Sequence, residues 1–240
     1  MPKIKPKPRK RIPSDQVHDH WSTAPLKGHA CYIVGNGPSA ADHDLSILEG
    51  CFTIGINRPW TLGIDPSICI FQDRDLLDRD EDRRQLEALT AIKLHCHDRE
   101  DPPEWIRFRR KRNGFRQQPN EARPDPFVDI KMPQSTHELE SMYTHGLAFQ
   151  LAYLLGCNPI IFIGVDCRYR GGRTNCYGVN RAHHDQTLKY CWKTSEWIWN
   201  NRGDRTILNA GDCLALGERR YLPVDHRLRQ RNLLRLLQID

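Results

Sequence analysis

Short apolar runs rich in β-branched residues alternate with longer stretches of helical periodicity, and this pattern predicts a mostly parallel sheet covered by helices. Strands are expected near residues 30–34, 52–56, 67–71, 91–95, 159–164 and 205–209. Helices are expected near residues 39–49, 75–90, 140–156, 184–200 and 226–238. The stretch 98–134 fits neither period. It is rich in proline and carries the basic cluster Arg107, Arg109, Arg110, Lys111 and Arg112, so it reads as an irregular insertion or lid over a site. The expected fold class is α/β, with a single domain over 21–240 preceded by an extended arm over 1–20.

Composition sharpens this outline. A chain of 240 residues can bury a core that needs no disulfide or metal staple. No run of about 18 apolar residues occurs and the first residues are charged without an apolar stretch behind them, so the expectation is a cytoplasmic protein without a membrane span. The nine cysteines are scattered and lack any Cys-x-x-Cys spacing, which suits reduced thiols in a core. The net charge of +6 comes from Lys3, Lys5, Lys7, Arg9, Lys10 and Arg11, after which 30 basic and 30 acidic residues balance. With Pro2, Pro6, Pro8 and Pro13 interleaved, that arm is expected to be extended, either as a solubilising leader or as a phosphate-contacting tail.

The first strand runs into Gly35, Asn36, Gly37, Pro38 and Ser39, where two glycines permit close backbone approach and Ser39 with Asp42 forms a helix-start pattern. Amides of such a turn suit a phosphate or carboxylate, and an ordinary strand-to-helix corner has the same signature. The turn matches neither the Gly-x-Gly-x-x-Gly fingerprint nor a P-loop. Asn57 ends the second strand, and its amide suits a base or ribose edge or a plain Asn-Arg-Pro turn. Asp73 and Asp75 end the third, as ligands for a divalent metal or as acids favouring a helix N-terminus. Of the two, Asp75 fits the helix role and Asp73 a ligand contact.

Gly146 opens a small-residue helix whose turn leads directly into a buried strand ending at Asp166. That carboxylate can orient a nucleotide, a sugar or a basic side chain, or cap a turn. The loop 170–181 is glycine-rich, basic and aromatic, and it leads to His183 and His184, of which either suits a general base at a helix start or a surface helix cap with Asp185 in the first turn. His95 and His97 share a strand face without further ligands at metal spacing, so no zinc site is assigned. The basic amphipathic stretch 227–238 reads as a helix packed on the sheet or meeting a partner or anionic surface.

Taken together, Val34 to Ser39, Ile56-Asn57, the block from Gly146 to Asp166, the His183/His184 pair and Ile207 to Ala210 resemble the bacterial sialyltransferase-like and MptE-like (6-hydroxymethylpterin diphosphokinase-like) superfamily, over roughly 29–216. The resemblance implies a Rossmann-like sheet in a bacterial or phage transferase. It implies that Gly35, Asn36, Gly37 and Ser39 seat a nucleotide, with Asn57 beside its base or ribose. It also implies a histidine base, His183 or His184, with Tyr169 and Tyr177 donating to the departing phosphate. Thr144-His145-Gly146 stands where the sialyltransferases have Thr-Ser-Gly.

The resulting expectation is a glycosyltransferase using a nucleotide sugar, CMP-sugar favoured, with no metal required. Its acceptor is open, and the basic arm and the Arg107–Arg116 cluster with Trp105, Phe108 and Phe115 are compatible with nucleic acid. One alternative is an MptE-like diphosphokinase using ATP and Mg2+. The other is a non-catalytic nucleic-acid or phage-associated binding module.

Overall fold

The structure is a computed structural model that describes residues 24–97, 102, 105–110, 132–133, 138–139, 141, 143–173, 175 and 185–218. Nine strands occur among these: β1 (Cys31–Val34), β2 (Thr53–Ile56), β3 (Ile68–Phe71), β4 (Ile92–His95), β5 (Ile106–Arg107), β6 (Arg109–Arg110), β7 (Glu138–Leu139), β8 (Ile160–Ile163) and β9 (Ile207–Asn209). Seven of them form one sheet in the order β5-β4-β3-β2-β1-β8-β9, with β6 and β7 paired apart. Every pairing in the large sheet is parallel, with Tyr32 opposite Thr53 on one side of β1 and Ile161 on the other. The architecture is a Rossmann-like α/β fold.

Both faces of the central strands are buried, as an all-parallel sheet requires, and this is why those strands read as continuous apolar runs. One face carries Cys31, Ile33, Ile54, Ile70 and Phe162 beneath α3 (Thr144–Leu154) and α4 (Asp185–Asn200). The other carries Tyr32, Val34, Ile161 and Ile163 with Ala40, Leu45 and Leu48 over them. Beside it, Cys69 and Phe71 pack under Leu76, Leu77 and Leu86 of α1 (Asp75–Asp78) and α2 (Asp80–Ala88). Burial of each such isoleucine or phenylalanine contributes about 2 kcal/mol.

Three expectations change. The helix expected over 39–49 is two 3-10 turns, Pro38–Asp42 and Leu45–Leu48. They break at His43, and the Asp44 carboxylate accepts from the Ser46 amide at 3.0 Å and hydroxyl at 2.6 Å, a local arrangement that competes with α-helix. The helix expected over 75–90 breaks at extended Arg79, because nothing apolar lies between Leu77 and Leu86 to hold one continuous face on the sheet.

The third change lies in the insertion, which supplies β5 and so extends the main sheet. Trp105 and Phe108 are 6% and 2% exposed, so these two aromatics are core and present no face to a base, while Arg107 is exposed. Phe115, the arm and the 226–238 stretch lie outside the described residues. Among the described residues no helix is long and apolar enough to cross a membrane.

Candidate functional site

Strand order reverses at β1, with β2 to β5 on one side and β8 and β9 on the other. In open α/β sheets ligands bind at the carboxyl edge near such a reversal. The glycine turn after β1 lies there, and the loop after β8 meets it. Gly35 donates to the Ile163 carbonyl at 2.8 Å and Gly37 to the Gly164 carbonyl at 2.7 Å. A Cβ on Gly37 would stand 2.6 Å from both the Gly164 carbonyl and Asp166 Oδ2, and one on Gly164 (φ +62°) would stand 2.5 Å from the Gly35 carbonyl. The glycines therefore let two loops of the protein meet.

Asp166 completes that closure. Its carboxylate accepts from the Ser39 amide at 2.7 Å, from the Ser39 hydroxyl, and from the Asp212 amide at 3.0 Å. Asp166 is 3% exposed and Ser39 fully buried. The amide that would greet an anion at this turn already holds the protein's own carboxylate. Pro38 carries no N–H. Around this seam, Arg168 pairs with Asp212 at 3.1 Å and Arg170 with Asp42 at 2.6 Å, and Tyr169 between the two arginines is exposed.

The β2 and β3 ends are arranged differently. Asn36 donates to the Arg58 carbonyl at 2.9 Å and accepts from its amide at 3.2 Å, so its side chain splices the turn after β1 to the turn after β2. Arg58 is fixed in turn by a two-bond contact with Asp82, Nε at 3.0 Å and Nη2 at 2.7 Å, with both side chains 15% exposed. Asn57 between them has φ +57°, a left-handed conformation that asparagine tolerates better than most residues. Its Nδ2 donates to Asp73 Oδ2 at 2.9 Å, and Thr144 Oγ1 lies 3.4 Å from its Oδ1. A primary amide retains a second hydrogen and a second lone pair after these contacts.

Thr144-His145-Gly146 divides between two neighbours. Thr144 faces Asn57, while His145 and Gly146 face α4. His145 Nε2 lies 3.3 Å from the Ser195 hydroxyl, and the ring also hydrogen-bonds the Cys191 backbone. Burial lowers its pKa to about 4, partly offset by the Cys191 bond, so the ring is neutral near pH 7. Gly146 is a packing glycine, because a Cβ there would stand 2.9 Å from Thr194 Cγ2. The cap residue of α3, Tyr143, makes no side-chain capping bond, and the helix starts at the carboxyl edge beside Asn57.

The structure thus brings exposed Asp73, half-buried Asn57 and buried Thr144 into one polar group, and gathers Gly35, Gly37, Ser39 and Asp166 into a separate, wholly buried one. Asp75 pairs with Arg79 at 3.4 Å across one helical turn. Among the described residues no three His, Cys, Asp or Glu side chains are grouped to hold a metal. Tyr177, His183 and His184 lie outside the described residues. The contact of Thr144 with Asn57 is not among the sequence expectations, although a hydroxyl at a helix start is a readable signal. The Arg58–Asp82 and His145–Ser195 contacts join distant segments and left no local signal. No family model matches the chain, and no curated protein matches it.

Proposed function

We propose that this protein is a nucleotide-dependent transferase of the glycosyltransferase type, whose donor nucleotide binds over the β2 and β3 ends at Asn57, Asp73 and Thr144. The observation that carries this reading is Asn57 at φ +57°, joined to Asp73 and Thr144 from two other elements. Such a bridge is a pre-oriented donor and acceptor pair for a base or ribose edge, beside the amino end of α3, where the helix dipole suits a phosphate. Relative to the resemblance, the seat moves from the glycine turn to its neighbour. The role of the turn is then to hold Asn36, and through it Arg58, in place.

In this reading His183 or His184 takes the proton of the acceptor hydroxyl, and Tyr169 or Tyr177 donates to the leaving phosphate. A carboxyl-edge start for α4 supports the histidine role, since α4 begins at Asp185 and leads from β8 to the parallel strand β9. The buried ring of His145 is excluded from that role by its contacts inside the α3–α4 interface.

The diphosphokinase alternative calls for Asp73 and Asp75 on Mg2+. Asp73 accepts from Asn57, and Asp75 pairs with Arg79 across an exposed helical turn. Product formation from a CMP-sugar in the presence of a chelator is the expected result. Pyrophosphate transfer from ATP that stops on chelation would replace the reading with the diphosphokinase.

A further inference from the structure

Three thiols from three segments meet under the carboxyl edge. Cys167 follows β8, Cys191 lies on α4, and Cys213 follows β9. The Cys167 thiol hydrogen-bonds both Cys191 and Cys213, and its sulfur lies 3.5 Å from the Ser195 hydroxyl. All three are free thiols; Cys213 is buried, whereas Cys167 and Cys191 are half-buried. Cys167 also has φ +52°, which is costly for a residue with a Cβ. Cys31 and Cys157 also hydrogen-bond each other but are both buried, whereas here two of the three thiols are half-buried and a hydroxyl joins them.

We propose that Cys167 and Cys191 are an oxidation site, joined in a reversible disulfide when the protein meets a hydroperoxide. Cys191 reacts first, because it is reachable by a small peroxide and Cys213 is not. The hydrogen bond to Cys191, together with burial, holds the Cys167 thiol well above the usual thiol range, so it keeps its proton and acts second. The Cys191 sulfur, on losing its proton, attacks one peroxide oxygen; the O–O bond breaks, the other oxygen leaves and takes that proton, and Cys191 becomes a sulfenic acid. The Cys167 sulfur then attacks the Cys191 sulfur, an S–S bond forms, and the departing hydroxide takes the Cys167 proton and leaves as water. Two thiols are oxidised by one electron each and the peroxide is reduced by two.

The location gives the bond a consequence. Cys167 adjoins Asp166, which holds Ser39 and Asp212, and Cys191 and Ser195 hold His145 at the start of α3. Oxidation would therefore strain the point where the seam, α3 and α4 meet. The proposal depends on these contacts and not on the reaction the protein catalyses.

The test is treatment of the full chain with hydrogen peroxide, followed by alkylation and peptide mapping by mass spectrometry. The expected result is a Cys167–Cys191 linked peptide that dithiothreitol dissolves, formed at least about tenfold faster than Cys69, which is buried with no thiol partner among the described residues, is consumed. The Cys213→Ser variant should retain the link, and Cys167→Ser should stall with Cys191 as a sulfenic acid that dimedone traps. The proposal is overturned if peroxide leaves the alkylation of Cys167 and Cys191 undiminished, if Cys167 links to Cys213 or Cys176 instead, or if dimedone labels nothing in Cys167→Ser.

Discussion

Between β1 and β8 the protein's own atoms meet across the carboxyl edge, whereas at the ends of β2 and β3 it offers half-buried Asn57 and exposed Asp73. Both regions are short turns after buried parallel strands, and both carry Asn, Gly, Ser, Thr or Asp. The difference lies in what approaches the backbone. At the first turn the approaching group is the loop after β8, and Asp166 takes the amide hydrogen bonds that a ligand anion would otherwise take. At the second, a left-handed asparagine holds its amide between two side chains, with hydrogen-bonding capacity left over. A glycine-rich turn after a strand therefore signals close approach, and the partner strand decides whether a ligand or the chain itself does the approaching.

The contrast can be broken most strongly at the seam. Gly164→Ala adds a Cβ 2.5 Å from the Gly35 carbonyl at a positive φ, and a loss of about 4 kcal/mol or more in denaturant unfolding is expected. A near-neutral outcome would mean that the seam is loose enough to admit a ligand. Asp166→Ala leaves three buried donors unmatched, and equilibrium unfolding should record a loss of about 3 kcal/mol with no change in slope. A stable Asp166→Ala protein that no longer binds nucleotide would instead assign this carboxylate to the ligand.

His145 sharpens the comparison from beneath. Its folded pKa, lowered to about 4 from 6.5, means that the unfolded chain takes up a proton first as pH falls. Its contribution is fully present above pH 6.5 and is lost as pH drops toward 4, with about 2 kcal/mol gone between pH 7 and 5. Unfolding midpoints of the wild type and His145→Gln across that range should diverge near neutrality and converge in acid. Parallel curves would remove His145 from the account.

Six strands were legible because a parallel strand buried on both faces writes a continuous apolar run, and each begins one or two residues after its expected start. β5 was not read, although Ile106 and Phe108 flank exposed Arg107 with the period of a strand, because prolines and the arginine cluster dominate that stretch. The 39–49 helix failed at His43 and Asp44, where side-chain bonding to the local backbone outweighed helix propensity. Asn57 and Asp73 were legible as strand-end polar residues. The role of Asp166 was not, since its partner Ser39 lies 127 residues away and only the sheet brings them together.

The central claim is that the ligand seat lies at Asn57 and not at the glycine turn. It is tested most directly by the thermal shift of the protein with a panel of CMP, UDP, GDP and ATP derivatives, compared between the wild type and Asn57→Gly. Glycine suits φ +57°, so the variant should unfold within about 1 kcal/mol of the wild type while losing the shift that one nucleotide class gives the wild type. A shift of equal size in both proteins, or none with any nucleotide in the wild type, would contradict the account.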